Sequence, residues 1–359
     1  MFTSLYIHVP FCHGKCAYCA FYSLPSSTPD LRQRYLVHLR EEFARYAPQC
    51  VPLRSIFIGG GTPSLLSRTE WEELVRAIRD HFTLAPDCEW SCEANPESLS
   101  PELLQAWLAC GVNRISIGIQ SFHSDLRRRI GRCGSLPKQF PNIPPNCSLN
   151  LDLIFNIPGQ TLAQWEEDLH RALELSPSHI SCYALTLEEG TRLAKNTPPL
   201  SDEQFLQFWE ATDRILAEAD IHRYEISNFA RPGKECRHNL EIWKGGTYLG
   251  CGPAASSFDG TERHANPSSL VEWLNNAPPE RDPLPPEERA TEILATGLRL
   301  LSGWDRQEFQ HRTGFDAWDL RGKQMRRLQQ QGLLHLTEKH VSPTQQGLLF
   351  NDNIALELL

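Results

Sequence analysis

The chain has 359 residues, of which 40% are hydrophobic and 22% are charged, so it is long enough for about two domains with a sizeable core. Its formal net charge of −9 argues against nucleic-acid binding and against adhesion to an anionic membrane, since both need a positive field. The sequence has no apolar run of membrane-spanning length and its first residues lack the pattern of a secretory signal, so we expect a cytoplasmic protein.

Short β-rich runs alternate with amphipathic helices over the first two thirds of the chain. The runs are nearly continuous in apolar residues, which is typical of parallel strands covered on both faces. The predicted strands are residues 5–9, 55–58, 88–94, 114–118, 149–155 and 179–185. Helices are predicted after Ser100-Pro101-Glu102, after Thr161, and after the capping-box pattern Ser201-Asp202-Glu203-Gln204.

Six strand–helix units within about 220 residues would form three-quarters of the eight-fold βα barrel. A doubly wound open sheet gives the same alternation, and the pattern alone does not separate the two. The proline-rich residues 133–147 cannot form a normal crossover helix, and only residues 125–130 have helical character nearby.

The amino-acid composition and periodicity of the sequence change after residue 220. Residues 223–257 are rich in glycine, aromatic and polar residues without a helical period, and prolines within 278–286 indicate a linker. Residues 287–359 predict helices followed by a strand pair, 333–336 and 339–342, an order that resembles a winged-helix module. We therefore expect three parts: a barrel over 1–222, a connecting region over 223–286, and a small α+β domain over 287–359.

Three of the twelve cysteines form a C-x3-C-x2-C motif on the loop after the first strand. They are Cys12, Cys16 and Cys19. A structural zinc site usually has four protein ligands, whereas three thiolates suit a [4Fe-4S] cluster that leaves one iron open for an exogenous ligand. Three unligated cysteines in the core are the structural alternative.

This motif directly after the first strand resembles the radical S-adenosylmethionine (SAM) superfamily. The second predicted strand ends in Ile58-Gly59-Gly60-Gly61-Thr62-Pro63, which looks like the superfamily's glycine motif, whose backbone can approach the methionyl ammonium closely. The Gly-Lys-Ser/Thr ending of a phosphate-binding loop is missing. The resemblance implies a partial βα barrel, a cluster whose unique iron binds SAM, and reductive cleavage of SAM to methionine and a 5′-deoxyadenosyl radical.

Further motifs narrow the resemblance to the coproporphyrinogen III dehydrogenase-like branch, over nearly the whole chain. The matching stretches are residues 93–97, 118–122, 151–155, 158–161 and 224–229. Transferred by motif, the resemblance places these residues around SAM: Tyr6, Tyr18, Gly60, Gly61, Thr62, Glu93, Gln120, Arg132, Asp152 and Ala184. A carboxylate near the end of a barrel strand can accept hydrogen bonds from ribose hydroxyls or from the methionyl ammonium.

Two features favour the haem-chaperone family of this branch over the dehydrogenases. Phe21 stands where the dehydrogenases carry another cysteine, and the first strand begins by residue 5 without their N-terminal extension. The chaperone signature His-Asn-x-x-Tyr-Trp is matched by residues 238–243, which implies His238 as an axial haem ligand and Trp243 packed on the macrocycle. Ile242 replaces the tyrosine of that signature, and Ser256 stands where the family usually has histidine.

We interpret the sequence as a radical SAM protein that binds haem, a [4Fe-4S] cluster and SAM and hands haem to acceptor proteins, with membrane-associated acceptors left open. An electron donor for the cluster is a further implied partner, and nucleic acid is not. The alternative is an oxygen-independent coproporphyrinogen III oxidase of porphyrin biosynthesis, which abstracts hydrogen from a propionate before decarboxylation. A third hypothesis, a degenerate member with a structural or electron-transfer cluster, is disfavoured by the intact glycine run, Glu93 and Gln120. We assign no catalytic residue.

Overall fold

The computed structural model describes residues 1–132, 134–195 and 201–359. Within this part of the chain, the largest sheet has twelve strands. Its centre consists of parallel strands that alternate with helices along the chain. They are β1 (Phe2–Val9), β2 (Cys50–Gly60), β3 (Leu84–Ala94), β4 (Arg114–Gln120), β5 (Ser148–Phe155) and β6 (His179–Ala184), paired in that order.

Helices connect these strands or follow the last of them, and all but the helix that begins at Ser124 have a side-chain hydrogen bond from the N-cap residue. They are α1 (Pro29–Tyr46), α2 (Arg68–His81), α3 (Pro101–Ala109), α4 (Ser124–Arg129), α5 (Leu162–Glu174) and α6 (Asp202–Glu218). Thr161 and Gln164 form a complete capping box at α5. At α6 only half of the predicted box forms: Ser201 accepts from the amide of Gln204, but the Gln204 side chain donates to the carbonyl of Gln160 at 2.6 Å instead.

The two faces of the parallel sheet differ in polarity. Leu5, Ile7 and Val9 of β1 are fully buried in the main hydrophobic core, whereas Tyr6 and His8, between them, line a cavity on the other face. The sequence analysis expected strands covered on both faces, and all seven residues of β4 are buried, but the side chains of the inner face are partly polar. Alternate positions are polar because the inner face of the curved sheet encloses cavities rather than a second packed core.

Short strands extend the sheet at both edges. One edge carries β7 (His222–Arg223) and β8 (Asn228–Ala230), and the other carries β9 (Tyr248–Cys251), β10 (Ser256–Phe258), β11 (Arg263–Ala265) and β12 (Glu280–Asp282). The order is β12-β11-β10-β9-β1-β2-β3-β4-β5-β6-β8-β7, with β9 parallel to β1 and the outer strands antiparallel. The sheet is thus open at β12 and β7, and the predicted α/β class with a large parallel sheet is confirmed.

Residues 223–286 contain more regular structure than their sequence suggests. The structure has helix α7 (Arg237–Trp243) and helix α8 (Leu270–Leu274) there, and β12 lies within the predicted proline-rich linker. Helices of seven and five residues are too short to show a hydrophobic period, so contacts with the barrel rather than local propensity specify them.

The C-terminal residues form a second hydrophobic core around Trp304, Phe309 and Met325. Its helices are α9 (Pro286–Gly297), α10 (Arg306–Thr313), α11 (Ala317–Gln330), α12 (Gln345–Leu349) and α13 (Asn351–Leu358). A small antiparallel sheet orders β13 (Trp304–Asp305), β15 (His340–Pro343) and β14 (Leu334–Leu336). The predicted strand pair is therefore present within a residue of its expected ends.

The proline-rich segment contains neither a helix nor a strand over residues 134–147, as predicted, and Cys133 lies outside the described residues. Among the helices of the described ranges, none is both long and apolar enough to cross a membrane.

Candidate functional site

The inner face of the parallel strands encloses a cavity of about 510 Å³. The three motif cysteines and most of the residues expected around SAM line it together. They are Cys12, Cys16, Cys19, Tyr18, Gly60, Gly61, Thr62, Glu93, Gln120, Arg132, Asp152 and Ala184. Tyr6 is the exception among the expected residues, since it lines a neighbouring cavity.

The cysteine motif lies on a loop that folds back beside β1. The loop is closed by two short parallel strands, Phe11–Cys12 and Leu24–Pro25. Its three thiols are free and only half-buried. Cys12 Sγ lies 3.5 Å from Thr62 Oγ1, and the guanidinium of Arg132 donates to Cys16 Sγ at 3.9 Å. A hydroxyl and a cation therefore stand beside two of the three sulfur atoms.

The arrangement of the thiols fits a cluster better than a single ion. Among the described residues, no three His, Cys, Asp or Glu side chains are grouped closely enough to hold one metal ion. Ligands of a [4Fe-4S] cluster bind different iron atoms, so they must share a cavity without converging on one point. Three half-buried free thiols on one loop, all facing the same cavity, meet that requirement.

The glycine run brings the backbone of β2 against β1. The amide of Gly61 donates to the carbonyl of Val9 at 2.8 Å, and a Cβ on Gly61 would lie 2.6 Å from that same oxygen. Gly60 has φ +99°, which favours glycine, and a Cβ there would overlap the ring of His8. Side chains are therefore sterically excluded at these two positions.

Two enclosed carboxylates face the larger cavity. Glu93 accepts from the amide of Gly60 at 3.1 Å, and Asp152 accepts from Ser116 Oγ at 2.6 Å and from Asn150 Nδ2 at 2.8 Å. Burial raises the pKa of Glu93 to about 8, with a further rise from the charge of Asp152. Burial also raises the pKa of Asp152.

Among the described residues, neither carboxylate has a cation within 4.0 Å. The charge of Arg132 offsets part of the burial of Asp152, but no cation lies within ion-pair distance of either carboxylate, so a cationic ligand would stabilise both. The sulfonium and ammonium groups of SAM are cations of that kind. The cavity thus accommodates the charge of the cofactor that the cysteine motif implies.

The remaining expected residues complete the cavity wall. Arg132 donates to the carbonyl of Gly118 at 2.6 Å and to Asn95 Oδ1 at 3.2 Å. Gln120, at the end of β4, has the left-handed backbone angle φ +69°. The backbone that follows it is held by Asp168, which accepts hydrogen bonds from Ser121 Oγ at 2.7 Å and from the Phe122 amide at 2.6 Å. Burial raises the pKa of Tyr18, and Ala184 ends β6.

Sequence analysis missed several polar residues of this wall. Ser116, Asn150, His179 and Ser181 line the cavity and form a hydrogen-bonded network with Asp152. The signal was present in the sequence as polar residues at alternate strand positions, such as 150 and 152 or 179 and 181. A search for period-two polarity within the apolar runs would have found them.

A second cavity of about 340 Å³ adjoins the first. Its wall is largely aromatic and includes His238 of α7. The lining residues are Tyr6, His8, Phe21, Tyr22, Phe57, His238, Asn239, Ile242, Tyr248, Ala254 and Ser256. Phe21, Phe57 and Asn239 line both cavities, so these side chains stand between them. Both positions at which the sequence departs from the family pattern, Ile242 and Ser256, belong to this wall.

His238 is held firmly in that wall. Its Nδ1 is hydrogen-bonded to Ser55 Oγ at 2.8 Å, and its ring centroid lies 5.3 Å from that of Phe57. Burial lowers the pKa of His238 to about 4, so the imidazole is neutral at pH 7. Trp243 lines neither cavity, and the guanidinium of Arg299 lies 4.5 Å from the centre of its ring.

Comparisons with known proteins match this architecture. The model of the radical SAM superfamily matches residues 6–172, and that of the HemN C-terminal domain matches residues 284–350. The heme chaperone HemW of Haemophilus influenzae is 35% identical over 334 residues, which cover 87% of this chain and 86% of that protein. The heme chaperone HemW of Escherichia coli K12 is 35% identical over 376 residues, covering 99% of this chain and 97% of that protein.

Among solved structures, the coproporphyrinogen III oxidase HemN of Escherichia coli, a radical SAM enzyme, superposes with a TM-score of 0.83 at 23% sequence identity. The superposition covers 99% of this chain and 89% of that enzyme. At this level of identity the likeness concerns the fold alone.

Proposed function

Because the chain belongs to the HemW family of radical SAM proteins, we propose that it is a haem chaperone that binds haem, one [4Fe-4S] cluster and SAM, and delivers haem to acceptor proteins. The observation that carries the proposal is the pair of adjoining cavities. One is lined by the cysteine motif and the carboxylates of Glu93 and Asp152, and the other by aromatic side chains and His238. A cytoplasmic location and an electron donor for the cluster are part of the proposal.

In the larger cavity, Cys12, Cys16 and Cys19 would hold the cluster, and Glu93 and Asp152 would face the cationic part of SAM. When bound, the cluster supplies an electron to the sulfonium of SAM. Thr62 and Arg132, beside Cys12 and Cys16, would donate hydrogen bonds to the sulfur atoms that hold the cluster.

In the second cavity, His238 is the residue that we propose as the haem ligand. The neutral imidazole is the form that binds iron, and the bond from Nδ1 to Ser55 leaves Nε2 for the metal. Cys236 is a poorer candidate, because burial raises the pKa of its thiol to about 12 and the thiol donates to Glu89 Oε1 at 3.6 Å. Aromatic walls such as Tyr6 and Phe57 suit a flat macrocycle.

The oxidase alternative is supported by the fold likeness to HemN, and Phe21 argues against it. The side chain of Phe21 is 68% exposed and borders both cavities at the position where the dehydrogenases carry a cysteine. An apolar ring cannot replace a thiol as a hydrogen donor or a redox group.

Anaerobic reconstitution with iron and sulfide, followed by haem titration with and without SAM, tests the proposal. We expect a Soret band that saturates at one haem per chain, and loss of that band when a haem-free acceptor such as an apoglobin is added. A reconstituted protein that binds no haem under either condition would overturn the chaperone function.

A further inference from the structure

The helix that carries His238 rests on a buried carboxylate of the barrel. Glu89 lies on β3 and is 6% exposed. Its Oε2 accepts a hydrogen bond from the backbone amide of Arg237 at 3.1 Å, and its Oε1 accepts one from the backbone amide of His238 at 3.0 Å. The thiol of Cys236, which immediately precedes α7, donates to the same Oε1 at 3.6 Å.

A buried arginine on the neighbouring strand completes this arrangement. Arg114 Nε donates to Glu89 Oε2 at 3.2 Å, and the two side chains are 5% and 8% exposed. Arg114 Nη2 also donates to the carbonyl of Glu235 at 2.9 Å. The ion pair is therefore hydrogen-bonded to the backbone on both sides of Cys236: Glu89 accepts from the two amides that follow it, and Arg114 donates to the carbonyl that precedes it.

These contacts compensate for a weakness of α7. The first amides of any helix lack acceptors within the helix, and the residue before α7, Cys236, does not cap it with a side-chain hydrogen bond. A helix of seven residues has little stability of its own. Because Glu89 supplies a charged acceptor for two of the first amides, it fixes both the start and the direction of the helix.

We propose that Glu89 is the positioning residue for His238: its carboxylate, held by Arg114, fixes the first turn of α7 so that the imidazole lies in the wall of the second cavity. The inference rests on the proposed function for the task of His238. The contacts themselves are a property of the fold, and they can be tested without haem.

The alternative is that the Glu89–Arg114 pair only fills the interior of the barrel. Asp87 provides a matched control, because its carboxylate also pairs with α7, through Arg237 Nη1 at 2.8 Å, but at the surface, with the two side chains 77% and 47% exposed. Surface pairs of this kind contribute little to stability. Asp87→Asn should therefore leave α7 in place.

The first experiment measures backbone hydrogen exchange of residues 236–243 by mass spectrometry in the reconstituted full chain. In Glu89→Gln the amide group of glutamine presents a donor where a backbone N–H needs an acceptor. We expect exchange in this peptide to become at least ~10-fold faster. Exchange in the cysteine loop, residues 12–19, should stay unchanged, and Asp87→Asn should behave as the parent throughout.

The second experiment titrates the same proteins with haem. Glu89→Gln should bind haem at least ~10-fold more weakly, with a displaced Soret band, while it retains the iron and sulfide content of the parent. A purely structural role would not change the Soret position of the protein that remains folded. If Glu89→Gln does not fold, because the buried charge of Arg114 is left without a carboxylate, Glu89→Gln/Arg114→Gln removes both charges and should show the same two changes.

Unchanged hydrogen exchange in residues 236–243 would overturn the inference, whatever the haem affinity and the Soret position of Glu89→Gln. Faster exchange with unchanged haem affinity and Soret position would also overturn it, since α7 would then move without consequence for His238. A parent that binds no haem would overturn the proposed function and the assigned task of His238 together, whereas the exchange data would still show whether Glu89 holds the helix.

Discussion

The carboxylate of Glu93 accepts a hydrogen bond from the backbone amide of Gly60 at 3.1 Å, although the two residues lie on neighbouring strands. The glycine run gives this carboxylate its room, because a Cβ on Gly59 would lie 2.7 Å from the carboxyl carbon of Glu93. The glycines and the glutamate are therefore one structural unit. Changing either partner should alter how the larger cavity receives a cation.

The raised pKa of Glu93 predicts proton release when SAM binds. With a pKa of about 8, Glu93 is mostly protonated at pH 7, whereas a bound cation favours the carboxylate. SAM binding at pH 7 should therefore release nearly one proton from Glu93, and affinity should rise roughly 10-fold per pH unit until the pH reaches that pKa.

Calorimetric titration in buffers of different ionisation enthalpy counts the protons released. The matched variant is Glu93→Gln, which keeps an acceptor for the amide of Gly60 but cannot ionise. It should release about one proton fewer than the parent. Equal proton counts for the two proteins would show that Glu93 does not change its ionisation on binding.

Gly61→Ala should abolish SAM binding and destabilise the fold. The added Cβ would lie 2.6 Å from the carbonyl oxygen of Val9 and 2.7 Å from that of Phe11, and backbone atoms cannot move aside cheaply. The control is Gly322→Ala in α11, where the nearest atom is the flexible Arg326 side chain at 3.4 Å. Thermal unfolding should show a lower melting temperature, and SAM titration no binding, for Gly61→Ala. Gly322→Ala should match the parent in both measurements.

Cys12, Cys16 and Cys19 should each be needed for the [4Fe-4S] chromophore. The Cys→Ala variant of any one should lose iron, sulfide and the cluster absorption after anaerobic reconstitution, because one iron would lack its thiolate. Cys236→Ala and Cys251→Ala should retain all three, since both thiols are buried outside the motif and that of Cys236 donates to Glu89. Full iron and sulfide in the triple variant would refute the radical SAM cluster.

Coproporphyrinogen III should not be decarboxylated at a useful rate by the reconstituted protein with SAM and a reductant. The expectation depends on Phe21, which occupies the position of the dehydrogenases' additional cysteine. The rate of decarboxylation is measured by chromatographic detection of protoporphyrinogen under anaerobic conditions. Stoichiometric conversion would establish the oxidase alternative.

The parallel strands were predictable because their outer residues are apolar and their ends carry recognisable motifs. The predicted strand 114–118 lies within β4, and 149–155 lies within β5. The grouping of these residues at one cavity was predictable for a related reason: cysteine spacing, the glycine run and the strand-end carboxylates are all local in sequence. These signals can be recognised without knowledge of tertiary packing.

The residues that depend on long-range contacts were not predictable. Glu89 lies on the same strand as Glu93, outside the motif. Nothing in the sequence around it indicates that the backbone amides of Arg237 and His238 donate to its carboxylate. Helix α7 itself is specified by those contacts rather than by a hydrophobic period. Tyr6 likewise lines the second cavity rather than the larger one, and a motif does not encode which cavity a strand residue faces.

Haem titration of His238→Ala against the parent, followed by absorbance after anaerobic reconstitution, tests the central claim most directly. His335→Ala is the matched control, since His335 is exposed in the C-terminal part of the chain. The account predicts that His238→Ala binds haem at least ~10-fold more weakly and with a displaced Soret band, whereas His335→Ala and Cys236→Ala bind as the parent does. A His238→Ala variant with the parent's affinity and Soret band would contradict the assignment of haem to the second cavity.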